Sequence, residues 1–568
     1  MSKAAPPANP PIHHGNSGDD TPVPGDPTAL GGAEDAGTLA LGSVLGATWR
    51  TLGRGRTLAR AGLGLGADSV RVLAGRGTGA DRGDWRFADP TWQEHPGYRR
   101  LMQLYLTWCR TLEELVERAD VHWRTRERAR FAVTVLTSAA APTNTVLGNP
   151  AALKRAVETG GGSLVEGLRH LLSDVRHNRG MPSQVDSSSF RVGENLAVSP
   201  GAVVYRDEVC EILQYSPTTS QVRCRPVVMV TPQINKYYFM DLAPQRSFVE
   251  HAVSRGLTFF AISWRNPVAQ QGGWNLDTYA ERMVTAIDAA REITGSDSVN
   301  LLGICAGGVL ASTVLSHLAL RAPDRVHSAS FGVTLLDFDV PAMVGVFNSR
   351  PLLAVARARS ARTGVLDGQS LAAVFTWMRP NDLVWNYWVN NYLMGKNPPA
   401  FDILAWNADR TNLPAALHAQ FLQIFAENSL VHPGAIEVLG TPVDLARVTC
   451  ETYVTGGLSD HLTPWEGCYR ATQLFSGPTT FVLSHTGHIQ TMVNPPGNPK
   501  AHYFVGPPPG PDPQEWRAQS ERRPGTWWDH WAEWILARSG EERPASARLG
   551  SRRHKPLDPA PGRYVLEG

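Results

Sequence analysis

The short motif Gly-Ile-Cys-Ala-Gly-Gly at positions 303–308 contains the residue best placed to do chemistry. It follows the apolar run 299–302 and precedes 309–318, which has the composition of a helix. In strand-to-helix turns of this kind, small residues flank a nucleophile that is exposed on a sharp bend. Cys305 takes the nucleophile position, at a helix N-terminus whose dipole favours a thiolate. The motif predicts a reactive cysteine, and it leaves a buried structural cysteine open as the alternative.

A cysteine nucleophile needs a general base, and the base needs an acid that orients it. Asp460 follows the β-rich run 452–454, and His488 follows the next such run, 480–483. Both are therefore predicted in loops at the carboxyl ends of successive strands, where open α/β sheets bind ligands. The chain order nucleophile, acid, histidine is the one that triads on such sheets follow. We predict Cys305, Asp460 and His488 as a catalytic triad.

Neighbouring residues compete for the two supporting roles, and they are His461, His485, Asp337 and Asp339. His461 directly follows the acid and is expected to face away from it or to cap the loop. His485 lies closer to the strand end, whereas Gly487 permits a tight loop immediately before His488. The two aspartates follow a different run, 329–336, and offer a second acid position. We prefer His488 as the base and Asp460 as the acid.

A tetrahedral intermediate on Cys305 needs two hydrogen-bond donors for its oxyanion. One is predicted to be the main-chain N–H of Ala306, the residue after the nucleophile. The other is expected from the loop after the run 227–230, and we place it at Gln233 or Ile234. Taken alone, the residues of this loop also fit an ordinary strand-to-helix connection.

The elements that position these residues begin after residue 225, where short β-forming runs become frequent. These runs are 227–230, 258–262, 299–302, 329–336, 452–454 and 480–483. Helix-like segments such as 276–293 separate the early ones. Nearly continuous apolar strands that alternate with helices are typical of a parallel sheet covered on both faces. Together with the order of the triad, this pattern predicts an α/β protein with the α/β-hydrolase fold.

Changes in composition divide the chain into parts around this core. The predicted parts are a largely disordered segment 1–85, a mainly helical N-terminal domain 86–225, a hydrolase core 226–337 and 441–538, an inserted cap domain 338–440, and an extended tail 539–568. Within the first part, 41–75 has some apolar periodicity that fits a loose helix. The run 203–213 is expected to form short strands.

The cap segment 338–440 separates two β-rich runs and is too long for a simple crossover. It is rich in aromatic residues, among them Trp377, Trp385, Tyr387, Trp388 and Tyr392. Exposed aromatics at this density are costly, so we expect them to be buried against the core, a partner subunit or a polymer. The alternative is that they form a small core of the cap itself. The cap is also expected to cover Cys305 and to help form a dimer.

The composition excludes several classes of function. The chain has 54 basic and 52 acidic residues and no basic stripe, so no nucleic-acid partner is expected. Its 6 cysteines show neither disulfide nor zinc spacing, so no metal site is predicted. The N-terminus lacks the apolar run of a secretory signal, and no apolar stretch reaches the ~18 residues of a membrane span. These features predict a cytoplasmic protein without a transmembrane span.

Several motifs make the sequence similar to the poly(3-hydroxyalkanoate) synthases. The cysteine turn looks like that family's lipase-like box, while Asp-His-Leu-Thr-Pro-Trp at 460–465 and Gly-His-Ile at 487–489 resemble its acid and base segments. Further similar segments are Pro-Gln-Ile-Asn-Lys-Tyr-Tyr at 232–238, Ser-Trp-Arg-Asn-Pro at 263–267, Ala-Pro-Thr-Asn at 141–144, Gly-Met-Pro-Ser-Gln at 180–184 and Gly-Arg-Tyr-Val-Leu-Glu at 562–567. The resemblance covers residues 85–538 and the tail, and its motifs are together very specific.

The resemblance implies polymerisation of (R)-3-hydroxyacyl-CoA through an acyl-cysteine, with release of CoA and without a metal or redox cofactor. It also implies a homodimer that associates with the growing polyester granule. Ala306, Gln233 and the cap segments 385–388 and 397–402 look like the medium-chain synthases that have a single type of subunit. Ile304 departs from the small residue of that subgroup and leaves the preferred chain length open. On the residues alone, a cysteine-dependent thioesterase or lipase, or a non-catalytic granule scaffold, is the alternative.

Overall fold

The structure of the chain, a computed structural model, describes residues 55–76, 79–80, 83–341 and 350–567. Most of the segment for which disorder is predicted, residues 1–54, lies outside these ranges. Within the described part of that segment, Gly55–Leu73 form a helix. It lies within 41–75, where the apolar periodicity predicts a loose helix, and it packs beside the helix Pro96–Glu117.

A mixed β-sheet forms the centre of the molecule. The strands are, in chain order, β1 (Gly201–Arg206), β2 (Cys210–Tyr215), β3 (Gln221–Arg223), β4 (Val227–Val230), β5 (Phe259–Trp264), β6 (Val299–Ile304), β7 (Val326–Gly332), β8 (Val365–Leu366), β9 (Leu413–Pro414), β10 (Glu437–Val438), β11 (Thr441–Pro442), β12 (Glu451–Gly457), β13 (Thr479–Ser484), β14 (His502–Val505), β15 (Glu521–Pro524) and β16 (Glu542–Pro544). The central sheet has 10 strands in the order β1-β2-β5-β4-β6-β7-β12-β13-β14-β15. Its inner pairs, from β5 to β13, are parallel, and antiparallel pairs extend it at both edges.

Helices precede the sheet, connect its strands and build the cap. They are α1 (Gly55–Leu73), α2 (Thr91–Glu94), α3 (Pro96–Glu117), α4 (Trp123–Ala139), α5 (Pro150–Glu158), α6 (Gly162–His177), α7 (Phe248–Ser254), α8 (Leu276–Thr294), α9 (Ala306–Arg321), α10 (Arg350–Thr363), α11 (Gly368–Met378), α12 (Asp402–Ala408), α13 (Ala415–Glu427), α14 (Trp465–Arg470), α15 (His488–Met492), α16 (Pro513–Gln519) and α17 (Trp527–Leu536). Two π-helices, Asn381–Trp385 and Trp388–Leu393, lie between α11 and α12.

Alternate residues of the central strands belong to two different cores, one on each face of the sheet. In β4, Val228 and Val230 join the core that contains α8 and α9 residues, while Val227 and Met229 join the core that contains α7 and α17 residues. Burial on both faces explains the continuous apolar runs in the sequence. The predicted α/β-hydrolase fold is confirmed, and the six predicted runs correspond to β4, β5, β6, β7, β12 and β13.

Two parts of the sheet differ from the prediction. β1 and β2 belong to the central sheet, since Cys210 of β2 pairs with Trp264 of β5, so the core begins near 201 rather than at 226. The helical part of the N-terminal domain correspondingly ends at His177. The strands β14 and β15 at the other edge were not foreseen, and the residues of β15, Glu-Arg-Arg-Pro, are all exposed and lack any apolar pattern.

The aromatic residues of the cap pack against the helical N-terminal region. The hydroxyl of Tyr392 donates to Asp174 Oδ2 of α6 at 2.7 Å, and Trp388 Nε1 donates to the Asn144 carbonyl at 3.1 Å. Gly167 of α6 lies so close to Tyr392 that an added Cβ would be 1.9 Å from its carbonyl oxygen. Trp388 and Tyr392 therefore contact the N-terminal region, which was not among the predicted surfaces, while the rings of Trp385, Trp388 and Tyr392 also pack on one another, as in the predicted alternative of a small core within the cap.

The C-terminal tail is extended, as predicted, but it is also docked on the core. β16 pairs with β3, and the N–H groups of Arg563 and Tyr564 donate to Glu211 Oε2 at 3.0 and 3.1 Å. Glu211 is fully buried in β2, so these hydrogen bonds satisfy a carboxylate that would otherwise be costly to bury. The tail is therefore an integral part of this edge of the sheet.

Candidate active site

Cys305 lies at a sharp bend between β6 and α9. Its φ of 51° and ψ of −121° are unusual for a residue with a side chain, and such conformations cost about 1–3 kcal/mol. Its N–H donates to the Gly332 carbonyl of β7 at 3.0 Å, and its carbonyl accepts from the N–H of Gly308 at 2.9 Å. The strand and helix thus impose a strained turn that leaves the thiol half-buried at the carboxyl edge of the sheet.

Glycines on both sides of the cysteine allow the close packing that this turn needs. A Cβ added to Gly303 would lie 2.8 Å from the Cα of Gly308, between strand and helix. A Cβ added to Gly307 would lie 2.3 Å from the carbonyl oxygen of Val230, at the end of β4. Gly307 therefore lets the start of α9 approach the loop in which the second oxyanion donor is predicted.

Asp460 lies in the turn after β12 and is held by the chain that follows it. The N–H groups of Leu462 and Thr463 donate to its Oδ1 at 2.8 and 2.9 Å. Burial raises the pKa of Asp460, but His488 and the hydrogen bonds from Thr463 outweigh this effect and lower it. The acid is therefore ionised at neutral pH and points in a defined direction.

His488 begins α15, directly after the loop from β13. Its Nδ1 lies 2.7 Å from Asp460 Oδ2, and Cys305 lies near enough to its imidazole to influence its pKa. Because Nδ1 faces the carboxylate, Nε2 is the ring nitrogen left for the thiol. Burial lowers the pKa of His488, but Asp460 and the contact with Cys305 raise it to about 10. The structure thus brings the three predicted triad residues together.

Thr463 is a member of the site that the sequence did not single out. Its hydroxyl donates to Asp460 Oδ2 at 2.6 Å and lies 3.1 Å from His488 Nδ1. Its position three residues after an aspartate is typical of local side-chain turns and could have identified it. Thr463 thus contacts both supporting members of the triad.

The competing histidines lie in different surroundings. Burial, and then the nearby Arg379 of the cap, lower the pKa of His461 to about 4. The Nδ1 of His485 lies 2.8 Å from the His502 carbonyl, and the two imidazole rings stack with centroids 4.2 Å apart. The preference for His488 therefore agrees with the geometry.

The competing aspartates connect parts of the fold. Asp337 accepts from Asn428 Nδ2 at 2.8 Å and forms an ion pair with Arg470 at 3.4 Å. Asp339 forms an ion pair with Arg124 of α4 at 3.1 Å. Both carboxylates are thus engaged by partners other than His488.

The predicted oxyanion donors follow two neighbouring strands, β6 and β4. Ala306 is the first residue of α9, so its N–H has no acceptor one turn earlier in the helix. Val230 pairs with Gly303, and the loop that contains Gln233 and Ile234 therefore starts beside the cysteine turn. The side chain of Gln233 is buried, yet within the described residues neither its Oε1 nor its Nε2 has a hydrogen-bond partner.

The fold and the site define a class: an α/β-hydrolase fold in which a cysteine, a histidine and an aspartate meet at the carboxyl edge of the sheet. Residues 226–495 match a family model described as alpha/beta hydrolase fold, and residues 83–252 match one described as Poly-beta-hydroxybutyrate polymerase (PhaC) N-terminus. The chain is 45% identical to poly(3-hydroxyalkanoate) polymerase 1 of Ectopseudomonas oleovorans over 89% of its length and 90% of that protein. It is 41% identical to the poly(3-hydroxyalkanoate) polymerase subunit PhaC of Cupriavidus necator over 85% of its length and 83% of that protein. The chain belongs to the poly(3-hydroxyalkanoate) polymerase family.

Two other kinds of feature are absent from the described residues. Among them, no helix is both long and apolar enough to cross a membrane. They likewise contain no cluster of 3 or more His, Cys, Asp or Glu side chains that could bind a metal ion.

Proposed function

We propose that this protein polymerises (R)-3-hydroxyacyl-CoA into a polyester and releases CoA, with Cys305 as the covalent nucleophile. The observation that supports this most is the hydrogen bond between His488 and Asp460 beside Cys305, in a chain of this family. Asp460 orients His488 and stabilises its protonated form. A protonated His488 in turn stabilises a thiolate beside it.

The proposed chemistry has two balanced steps. In the first, the Cys305 sulfur attacks the thioester carbonyl, the carbon–sulfur bond to CoA breaks, and CoA leaves as a thiol after taking the proton held by His488. In the second, the 3-hydroxyl of another unit attacks the acyl-cysteine, an ester forms, and the carbon–sulfur bond to Cys305 breaks. The proton of the hydroxyl passes to His488, so that Cys305 and His488 return to their starting state. The N–H of Ala306 and an N–H from Gln233 or Ile234 stabilise the oxyanion in both steps. No metal or redox cofactor is needed, since neither step changes an oxidation state.

The proposal extends to the surroundings of the enzyme. The protein acts as a homodimer in the cytoplasm, at the surface of the growing granule, and its cap limits the access of water to the acyl-cysteine. The segments that resemble medium-chain synthases favour medium-chain substrates. Because Ile304 departs from the small residue of that subgroup, short-chain and medium-chain substrates are to be compared directly.

The test is incubation of purified protein with (R)-3-hydroxyacyl-CoA of short and medium chain length, with Cys305→Ala as the blank. We expect free CoA together with insoluble polyester. A hydrolase would release CoA and soluble hydroxy acid, and a scaffold would release neither, so either result would contradict the proposal.

A further inference from the structure

The loop after β4, residues 231–238, is connected to two segments that are distant in sequence. One is the cap segment 406–411 at the end of α12, and the other is the C-terminal tail. This loop also contains the predicted second oxyanion donor. The loop, the cap and the tail are therefore three parts of the chain that are joined here, and the latter two help to set the position of the loop.

Lys236 is the residue at which these three parts meet. Its side chain is only 5% exposed, and its Nζ lies 2.7 Å from Asp409 Oδ1 of the cap. The same ammonium group donates to the Val565 carbonyl of the tail at 2.8 Å. An ammonium is strongly hydrated in water, so its burial requires partners of this kind. Lys236 can occupy this position only when the cap and the tail are docked.

Further hydrogen bonds between the cap and the loop surround this ion pair. Trp406 Nε1 donates to the main-chain carbonyl of the lysine at 2.7 Å, and the hydroxyl of Tyr238 donates to Asp409 Oδ2 at 2.9 Å. The N–H of Asn235 donates to Thr411 Oγ1 at 2.8 Å. The cap therefore contacts the main chain of the loop as well as its side chains.

The main chain of the loop is strained where the cap contacts it. Asn235 has a φ of 63°, in the left-handed region that costs energy for residues other than glycine. Thr411 accepts from the peptide group that precedes this residue, and Trp406 donates to the peptide group between Lys236 and Tyr237. Because Ile234 comes directly before Asn235, these bonds fix where the preceding N–H groups lie.

Stability alone does not require a buried ion pair at this place. Replacing such a pair by apolar residues of similar size is often neutral or stabilising, whereas removing one partner is costly. Transition-state stabilisation, in contrast, depends on donors placed within a fraction of an ångström of the oxyanion. The geometry of Lys236 and Asp409 is therefore better explained by positioning than by stability.

We propose that Lys236 and Asp409 are positioning residues that place the second oxyanion donor, and that this donor is in place only while the cap and the tail are docked on the loop. The inference rests on the proposed function, because it assigns these residues to the acyl-transfer steps. It makes the cap a structural part of the active site in addition to a cover over Cys305.

The experiment compares wild-type protein with the double variant Lys236→Met/Asp409→Leu, which removes both charges together. Steady-state CoA release gives kcat and KM, iodoacetamide alkylation of Cys305 reports the triad, and thermal unfolding reports the fold. We expect kcat to fall on the order of 10- to 100-fold, as when an oxyanion donor is displaced. KM, the alkylation rate and the unfolding temperature should stay close to wild type.

A matched control removes another ion pair between the cap and the core. Arg246 pairs with Asp402 at the start of the same helix, α12, but Arg246 lies outside the loop 231–238. The double variant Arg246→Met/Asp402→Leu should keep the wild-type kcat. Where the test variant does not fold, Tyr238→Phe and Thr411→Val each remove one of the described hydrogen bonds and should lower kcat in the same direction by a smaller factor.

Three results would overturn the inference: a wild-type kcat in the test variant, a change confined to KM, or an equal fall of kcat in the matched control. A fall in the alkylation rate would also overturn it, since the effect would then act on the triad. Absence of CoA release or of polyester from the wild-type protein would instead reject the proposed function.

Discussion

The two sides of Cys305 are built in different ways. On the acid–base side, the hydrogen bonds that orient Asp460 and His488 join residues separated by 2 to 28 positions in the chain. On the oxyanion side, the bonds that connect Asn235, Lys236 and Tyr238 to the cap and the tail join residues separated by 170 to 329 positions. The acid–base side, which is the local half of the site, is completed by two neighbouring loops. The oxyanion side, which is the other half, requires the cap and the tail.

This difference has a mechanical consequence. Movements of the cap leave the local hydrogen bonds around Asp460 intact, but they act directly on the oxyanion loop. Acid–base chemistry should therefore be insensitive to the state of the cap, and oxyanion stabilisation should depend on it. The following changes test the two halves separately, in order of decreasing effect.

Removal of the nucleophile affects both halves at once and should have the largest effect. Cys305→Ala should lower CoA release by at least about 100-fold, because no other group can carry the acyl chain. Cys305→Ser should also be far weaker than wild type, since its hydroxyl is much less acidic. Unfolding temperatures should match wild type, and retention of more than about a hundredth of the activity would contradict the assignment.

Loss of the base tests the local half. His488→Gln should abolish burst-phase acylation by a substrate analogue, and Asp460→Asn should slow it by leaving the imidazole in the wrong state. His461→Gln and His485→Gln are the matched controls and should do much less harm, because burial and Arg379 keep the pKa of His461 near 4 and His485 contacts the His502 carbonyl. If His461→Gln lost the burst and His488→Gln kept it, the base would be misassigned.

Removal of the Thr463 hydroxyl should have an intermediate effect. Thr463→Val deletes the donor to Asp460 Oδ2 but keeps the shape of the side chain. We expect kcat to fall by roughly the factor of 3 to 10 that corresponds to one hydrogen bond, with the pH profile of kcat/KM displaced. Thr463→Ser should restore both. An unchanged pH profile in the valine variant would limit Thr463 to a packing role.

The pH dependence of stability provides a test of the local half that does not depend on activity. The pKa of His488 is raised from 6.5 to about 10 in the folded protein, so its contribution is complete below pH 6.5 and is lost as the pH rises toward 10. The free energy of unfolding should therefore decrease across this interval, and this decrease should be smaller in His488→Gln. Urea unfolding at pH 6.5 and near pH 10 measures this decrease. An equal decrease in the wild-type protein and in His488→Gln would argue against the charged pair.

The smallest effect is expected for the side chain of Gln233, on the oxyanion side. A buried amide without partners costs about 1–3 kcal/mol, so Gln233→Met should leave stability unchanged or raise it by about 1 kcal/mol. CoA release should change by less than about threefold, because the proposed donor is a main-chain N–H. A clear loss of stability in urea unfolding would show that the amide has a partner after all.

Sequence reasoning worked best where function depends on neighbouring residues. The cysteine turn, the acid loop and the histidine loop each contain their own small residues and turn formers, so each is recognisable locally. The parallel strands β6, β12 and β13 then bring these loops to one edge, because the carboxyl ends of parallel strands meet there. The family motifs pointed in the same direction, and the comparisons with known polymerases confirmed them.

The sequence by itself thus determined the fold class and the family, and it predicted Cys305, Asp460 and His488 as a triad, whose members the structure places near one another. Only the tertiary structure decided that β1 and β2 belong to the sheet, that the cap aromatics face the N-terminal helices, and that Lys236 joins loop, cap and tail. The physical reason is the range of the contacts. A strand or a turn is encoded by periodicity and residue type over a few positions, whereas a buried lysine looks like any surface lysine until its distant carboxylate is placed beside it.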